Sequence, residues 1–175
     1  MSRRWIDRDG FVPLFDSIRS SSWRWECQGT YREPDEAEPL RLWREGHPDS
    51  SWMRPWMDTV RTWRADGITF ERVRMLTEPL TEYLQWMLSF THLNVEAGED
   101  IRWINQHTAS RLGVPDYDFY LFDDDRVVIM HFNDRGVSGA ELVDDTDVLE
   151  RHRAWRDLVW PQAIRHGEYM AERGT

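Results

Sequence analysis

The sequence predicts an α+β fold: an antiparallel or mixed sheet with a C-terminal three-stranded meander, covered by helices. Three observations carry this reading. Strand-like runs at Tyr117–Phe122, Arg126–Phe132 and Val137–Val143 are separated only by Asp123-Asp124-Asp125 and Asn133-Asp134-Arg135-Gly136, which is hairpin spacing. Leu80, Tyr83, Leu84, Met87 and Leu88 recur at the spacing of one helix face. Helical segments stand before and after the grouped strands, an order that implies a sheet covered on one face. The 175 residues, 40% of them apolar and 31% charged, suit a single domain over 1–175, with a core at about 11–166 and an acidic loop at 29–39.

Taken in order, Phe11–Phe15 reads as a short helix. Trp23 and Trp25 alternate with Arg24 and Glu26 as in a strand. A proline-bracketed acidic loop follows, then a short helix from Leu40 to Glu45 stopped by Gly46. Trp52, Trp56, Val60 and Trp63 mark a helix closed by Asp66-Gly67. Phe70–Met75 alternates as a strand and puts Arg72 and Arg74 on one face. The helix at Leu80 is expected to be capped by Thr77, with Pro79 in its first turn. Asn94–Asp100 reads as a polar loop, Ile101–Ile104 as a short strand, and the stretch holding Gly113 and Pro115 as a second loop. Asp144-Asp145-Thr146-Asp147 opens the last helix, whose inner face is Val148, His152, Trp155 and Val159 and which Pro161 ends or kinks.

Composition removes several classes of function. All 22 basic residues are arginine, so lysine Schiff bases, pyridoxal phosphate linkage and a phosphate-loop lysine are excluded. One cysteine, Cys27, permits neither an internal disulfide nor a cysteine-based zinc site. The net charge of −10 disfavours direct nucleic-acid binding and suits a basic partner or a cationic ligand. No apolar run approaches a membrane span, and the first residues lack the apolar core of a signal peptide, so a cytoplasmic location is expected. No cofactor is implied, and the six histidines show no ligand-pair spacing, so no metal site is expected.

What remains is a polar cluster organised by the helix at Leu80. Arg72 and Arg74 share one strand face, and Arg102 lies on another strand flanked by Glu99 and Asp100. Glu78 and Tyr83 come from the start of the helix. Two readings are open. One is a structural network of buried ion pairs. The other is a recognition site in which arginine forks hold a carboxylate or phosphate and Glu99 or Asp100 meets an amine. His131 joins the candidates as the only histidine within a firm strand and as a possible proton-transfer group.

A set of motifs runs from about Phe15 to Ala163: Arg72-Val73-Arg74, Glu78-Pro79-Leu80-Thr81-Glu82-Tyr83-Leu84, Asn94-Val95-Glu96-Ala97-Gly98-Glu99-Asp100-Ile101-Arg102, Asp118-Phe119-Tyr120-Leu121-Phe122-Asp123, Glu141-Leu142-Val143-Asp144-Asp145 and His152-Arg153-Ala154-Trp155-Arg156-Asp157. Together they make the chain resemble an actinobacterial family known only as a domain of unknown function. The resemblance implies a small cytoplasmic protein often encoded near helix-turn-helix regulators, and it brings no catalytic residues with it. Trp86-Met87 departs from the family pattern, in which an acidic residue is expected at or beside Met87. The expected function is therefore a binding or regulatory module for a protein partner, such as a helix-turn-helix regulator, or for a small polar ligand. The alternative is a small lysine-independent biosynthetic or tailoring enzyme using Glu78, Tyr83, Glu99, Asp100 and His131 for acid/base work.

Overall fold

The computed structural model describes residues 3–174, and among these it contains eight strands and seven helices. The strands are β1 (Arg3–Asp7), β2 (Ser21–Glu26), β3 (Thr69–Leu76), β4 (Asp100–Asn105), β5 (Phe119–Phe122), β6 (Arg126–Asn133), β7 (Gly136–Val143) and β8 (Ile164–Arg165). The helices are α1 (Arg8–Leu14), α2 (Ala37–Arg44), α3 (Arg54–Ala65), α4 (Glu82–Ala97), α5 (Gln106–Leu112), α6 (Thr146–Val159) and α7 (His166–Arg173). One mixed sheet runs in the order β1-β7-β6-β5-β2-β3-β4-β8. β2, β3 and β4 are mutually parallel, which requires crossovers; α2 and α3 supply the first and α4 the second. The other pairings are antiparallel, and β5-β6-β7 is the expected meander.

Helices cover both faces of this sheet, not one. On one face α1, α3 and α4 pack over Phe70, Leu76, Ile101, Trp103, Tyr120 and Phe122. On the other, α5 and α6 pack over Trp23, Trp25, Val73, Phe119, Leu121 and Val127. The strand alternation at Trp23-Arg24-Trp25-Glu26 follows from this, because successive side chains serve opposite faces.

Several boundaries differ from those the sequence suggests. Asn94–Ala97 continue α4, and Gly98 closes it at φ +120°, a conformation that favours glycine. The α4 cap is Thr81, whose Oγ1 accepts from Leu84 N at 3.1 Å. Thr77 instead braces the turn at the cis Glu78-Pro79 bond, donating to the Pro79 carbonyl and accepting from Thr81 N. The expected loop at Gly113 begins with α5, capped by Asn105. Half of the acidic loop is ordered as a 3₁₀ turn at Pro34–Glu36 leading into α2. The edge strand β1, the short β8 and α7 carry weak local patterns and owe their structure to docking on β7, β4 and α4.

The acidic segment is fastened across one end of the sheet. Glu33 accepts from Val137 N at 2.8 Å and lies against Gly136, where any Cβ would clash with its carboxylate. Arg8 reaches the same carboxylate at 3.6 Å. This positions Glu36 inward, toward the charged face of the sheet.

Candidate functional site

On the α3/α4 face, β2 contributes Arg24 and Glu26, and β3 contributes Arg72 and Arg74, in register so that Arg24 lies beside Arg72 and Glu26 beside Arg74. Tyr120 of β5 stands next to Arg24, whose guanidinium lies 4.9 Å from the ring centroid. Glu26 binds all three arginines: Arg24 at 2.9 Å, Arg72 at 2.8 Å, and Arg74 through its Nε. Burial alone would raise the Glu26 carboxyl. Arg24, Arg74 and Arg72 outweigh it and hold the group well below the usual carboxylate range.

Two further carboxylates complete the pairing. Glu99 takes Arg72 at 3.1 Å, the Trp56 indole N–H at 2.5 Å and the Asn94 amide at 3.0 Å. Asp118 faces Arg24 at 3.5 Å and accepts from the Tyr31 hydroxyl at 2.6 Å and from Cys27 N at 2.9 Å. Burial raises Asp118 despite Arg24. The Cys27 thiol is pushed far up, first by burial and then by Asp118, so it is a poor nucleophile.

These side chains wall a cavity of about 480 Å³ between sheet and helices, lined by Arg24, Arg72, Arg74, Asn94 and Tyr120 on one side and Phe11, Trp52, Trp56 and Trp63 on the other. A lobe of about 310 Å³ shares the arginines and Tyr120 and adds Glu26, Tyr31, Tyr83 and Phe132. A surface cleft of about 1050 Å³ leads to that lobe past Arg8, Tyr31 and Glu33. Glu36 lines all three spaces. Its Oε2 accepts from the Tyr83 hydroxyl at 2.7 Å. Burial pushes the Glu36 carboxyl up to about 7 against the opposing pull of Tyr83 and Arg74. Among the described residues, the buried Nε of Arg24, Nε of Arg72 and Oδ1 of Asn94 have no hydrogen-bond partner.

Of the residues singled out from the sequence, Arg72, Arg74 and Glu99 meet in this network, and Tyr83 reaches it through Glu36. The other four lie elsewhere. In the β3–β4 register Arg102 sits beside Val73, so it points to the opposite face from Arg72. There it pairs with Asp100 at 3.0 Å and stacks 3.6 Å from the Trp160 ring centroid. Glu78 borders a separate cavity of about 320 Å³ with Asn105, Thr108 and Tyr169. His131 is at the β1 end of the sheet, 3.0 Å from Glu141 and 5.2 Å from the Trp5 ring. The sequence reading missed Arg24, Glu26, Tyr31, Glu36 and Asp118. The alternation of β2 could have revealed the first two; the others arrive by tertiary packing.

Among the described residues no group of three potential metal ligands converges, and no helix is long and apolar enough to cross a membrane. Fold and site thus define a mixed-sheet α+β protein with a charge-lined cavity between sheet and helices. The chain belongs to the family described as a domain of unknown function, DUF6879, which matches residues 9–171. No curated protein matches it.

Proposed function

We propose that this protein is a binding module for a small polar molecule, held in the cavity between the arginine-bearing face of the sheet and helices α1, α3 and α4. The observation that carries the reading is the wall itself. Three arginines, fixed by carboxylates, line a half-open space of ligand size whose far side is aromatic. Pockets of this make-up, apolar with a few oriented polar groups, are the usual form of small-molecule sites.

The enzymatic reading has less behind it. Glu78, Asp100 and His131 do not join Tyr83 and Glu99, so the acid/base set envisaged for it is dispersed. A protein partner, a helix-turn-helix regulator included, rests on the charge of −10 and on family resemblance.

The test is protein-observed NMR of the indole N–H signals during titration with fractionated metabolite extracts. Shifts at Trp52, Trp56 and Trp63 are expected for at least one fraction. If every fraction leaves those signals in place, or moves only Trp5, the reading is wrong.

A further inference from the structure

Counting charge inside the cavity leads to the kind of group it receives. Arg24, Arg72 and Arg74 carry three positive charges, and Glu26, Glu99 and Asp118 face them within ion-pair distance. The arginine wall is therefore already matched from inside the protein and has no net charge to offer an anion. Glu36 is a further acid of the lobe, which Asp35 and Glu33, the latter 3.6 Å from Arg8, also line. Its hydrogen-bond partner is the Tyr83 hydroxyl, and among the described residues no arginine lies within ion-pair distance of it.

The lobe around this carboxylate is aromatic, and the Arg24 guanidinium lies 5.9 Å from the Tyr31 ring centroid. Tyr31, Tyr83 and Phe132 line the lobe with Glu36, with Tyr31 5.6 Å from Tyr83 and 5.2 Å from Phe132, centroid to centroid. Aromatic faces attract an ammonium through their quadrupoles, most strongly where water is displaced. We propose that Glu36, with the rings of Tyr31, Tyr83 and Phe132, forms a subsite for an organic ammonium group. This rests on the cavity being a ligand site, and it assigns to Glu36 the amine-binding role that the sequence suggests for Glu99 or Asp100. Glu99 is committed to Arg72, Trp56 and Asn94, and Asp100 to Arg102.

The titratable and charged groups around Glu36 are Arg24, Glu26, Arg72, Arg74 and Tyr120 from the sheet, Tyr83 from α4, Tyr31, Glu33 and Asp35 from its own segment, and Arg8, Arg32, Arg44, Asp134 and Arg135 at the mouth. Arg74 is engaged by Glu26 and by Thr91, so its charge opposes an ammonium only weakly. Because the Glu36 carboxyl titrates near 7, ammonium binding should be coupled to loss of its proton.

The experiment uses the intact protein and three matched probes, phenethylamine, 2-phenylethanol and 3-phenylpropanoate, in calorimetric and NMR titrations. The amine is expected to bind most tightly, about tenfold tighter at pH 8 than at pH 6. At pH 7 it should release about half a proton, read from buffers of different ionisation enthalpy. Glu36→Gln keeps an acceptor for Tyr83. It should weaken amine binding at least about tenfold and abolish the proton release. Phe132→Leu should weaken amine binding but leave its pH dependence intact. Tighter binding of 3-phenylpropanoate would overturn the ammonium subsite while supporting a ligand cavity. An unchanged amine affinity in Glu36→Gln, or no binding of the amine at all, would also overturn it, with the cavity itself judged by the extract titration.

Discussion

β2 presents Trp23 and Trp25 to one side of the sheet and Arg24 and Glu26 to the other, and the two sides differ throughout. Under α5 and α6, Trp25, Phe119, Leu121, Val127 and Val143 are almost wholly buried against one another, with His152 as the polar inclusion. Under α3 and α4, the same strands bury Glu26, Arg72 and Arg74 and half-bury Arg24 beside a cavity, with Glu99 buried at the turn into β4. The first face gains from apolar area removed from water. The second carries the desolvation cost of every charge and is held by mutual pairing, which at best roughly offsets that cost. A protein that needed only a stable sheet had the first solution available for both faces. The contrast is the physical reason for placing function on the charged side.

The largest expected effects come from single deletions on either face. Trp25→Ala should lose about 3–5 kcal/mol in urea unfolding, as a large core truncation does. Glu26→Leu should lose a similar amount, about 3–5 kcal/mol, because three arginines lose their common partner. The faces then separate on rescue. Adding Arg72→Met and Arg74→Leu to Glu26→Leu should recover part of that loss, the remainder coming from Glu99 left without Arg72. If that triple variant stays as unstable as Glu26→Leu, the charged face contributes more to the fold than the comparison allows.

Acidity gives the next effect, with opposite signs on the two faces. Glu36 has a folded-state pKa of about 7, above its unfolded value, so the folded form holds more protons between about pH 4.5 and 7. Its contribution should lower stability as pH rises through that window, by on the order of 2–3 kcal/mol, and Glu36→Gln should remove the slope. His152 behaves conversely. Its Nδ1–H donates to the Val148 carbonyl at 2.7 Å, and Nε2 lies 3.2 Å from the Tyr117 hydroxyl. Burial lowers its pKa, so the unfolded state binds the proton more readily and stability should fall as pH drops below about 6.5. His152→Gln should flatten that acid limb in a series of melts. The smallest change is expected at Trp5, which is 55% exposed: Trp5→Ala should cost less than about 1 kcal/mol.

Local patterns in the sequence carried the fold class, the meander and α4. Arg72 and Arg74 were also legible, because strand alternation assigns two residues spaced by two to one face. The covering of both faces was not, nor with it the placement of Arg102 and His131 away from Arg72. With one face in mind, Arg102 reads as a neighbour of Arg72; in a sheet covered twice, the offset of one residue between β3 and β4 sends it to the other face, beside Trp160. His131 follows Val127 and Ile129 onto that same face. Glu36 and Tyr31 could not be read locally at all. They belong to a segment without periodicity, and they reach the cavity because Glu33 and Arg8 fasten that segment to the β6–β7 turn.

The alternation in β2 also constrains how the chain assembles. Its last four residues are Trp, Arg, Trp and Glu, and its neighbours on both sides are hydrogen-bonded strands. A slip of one residue against β3 or β5 would drive two ionised groups into the apolar layer and two indoles into the cavity. Misregistered pairings at the centre of this sheet are thus penalised from above and below at once. The charged face therefore acts as a proofreader of strand alignment, whether or not a ligand is bound.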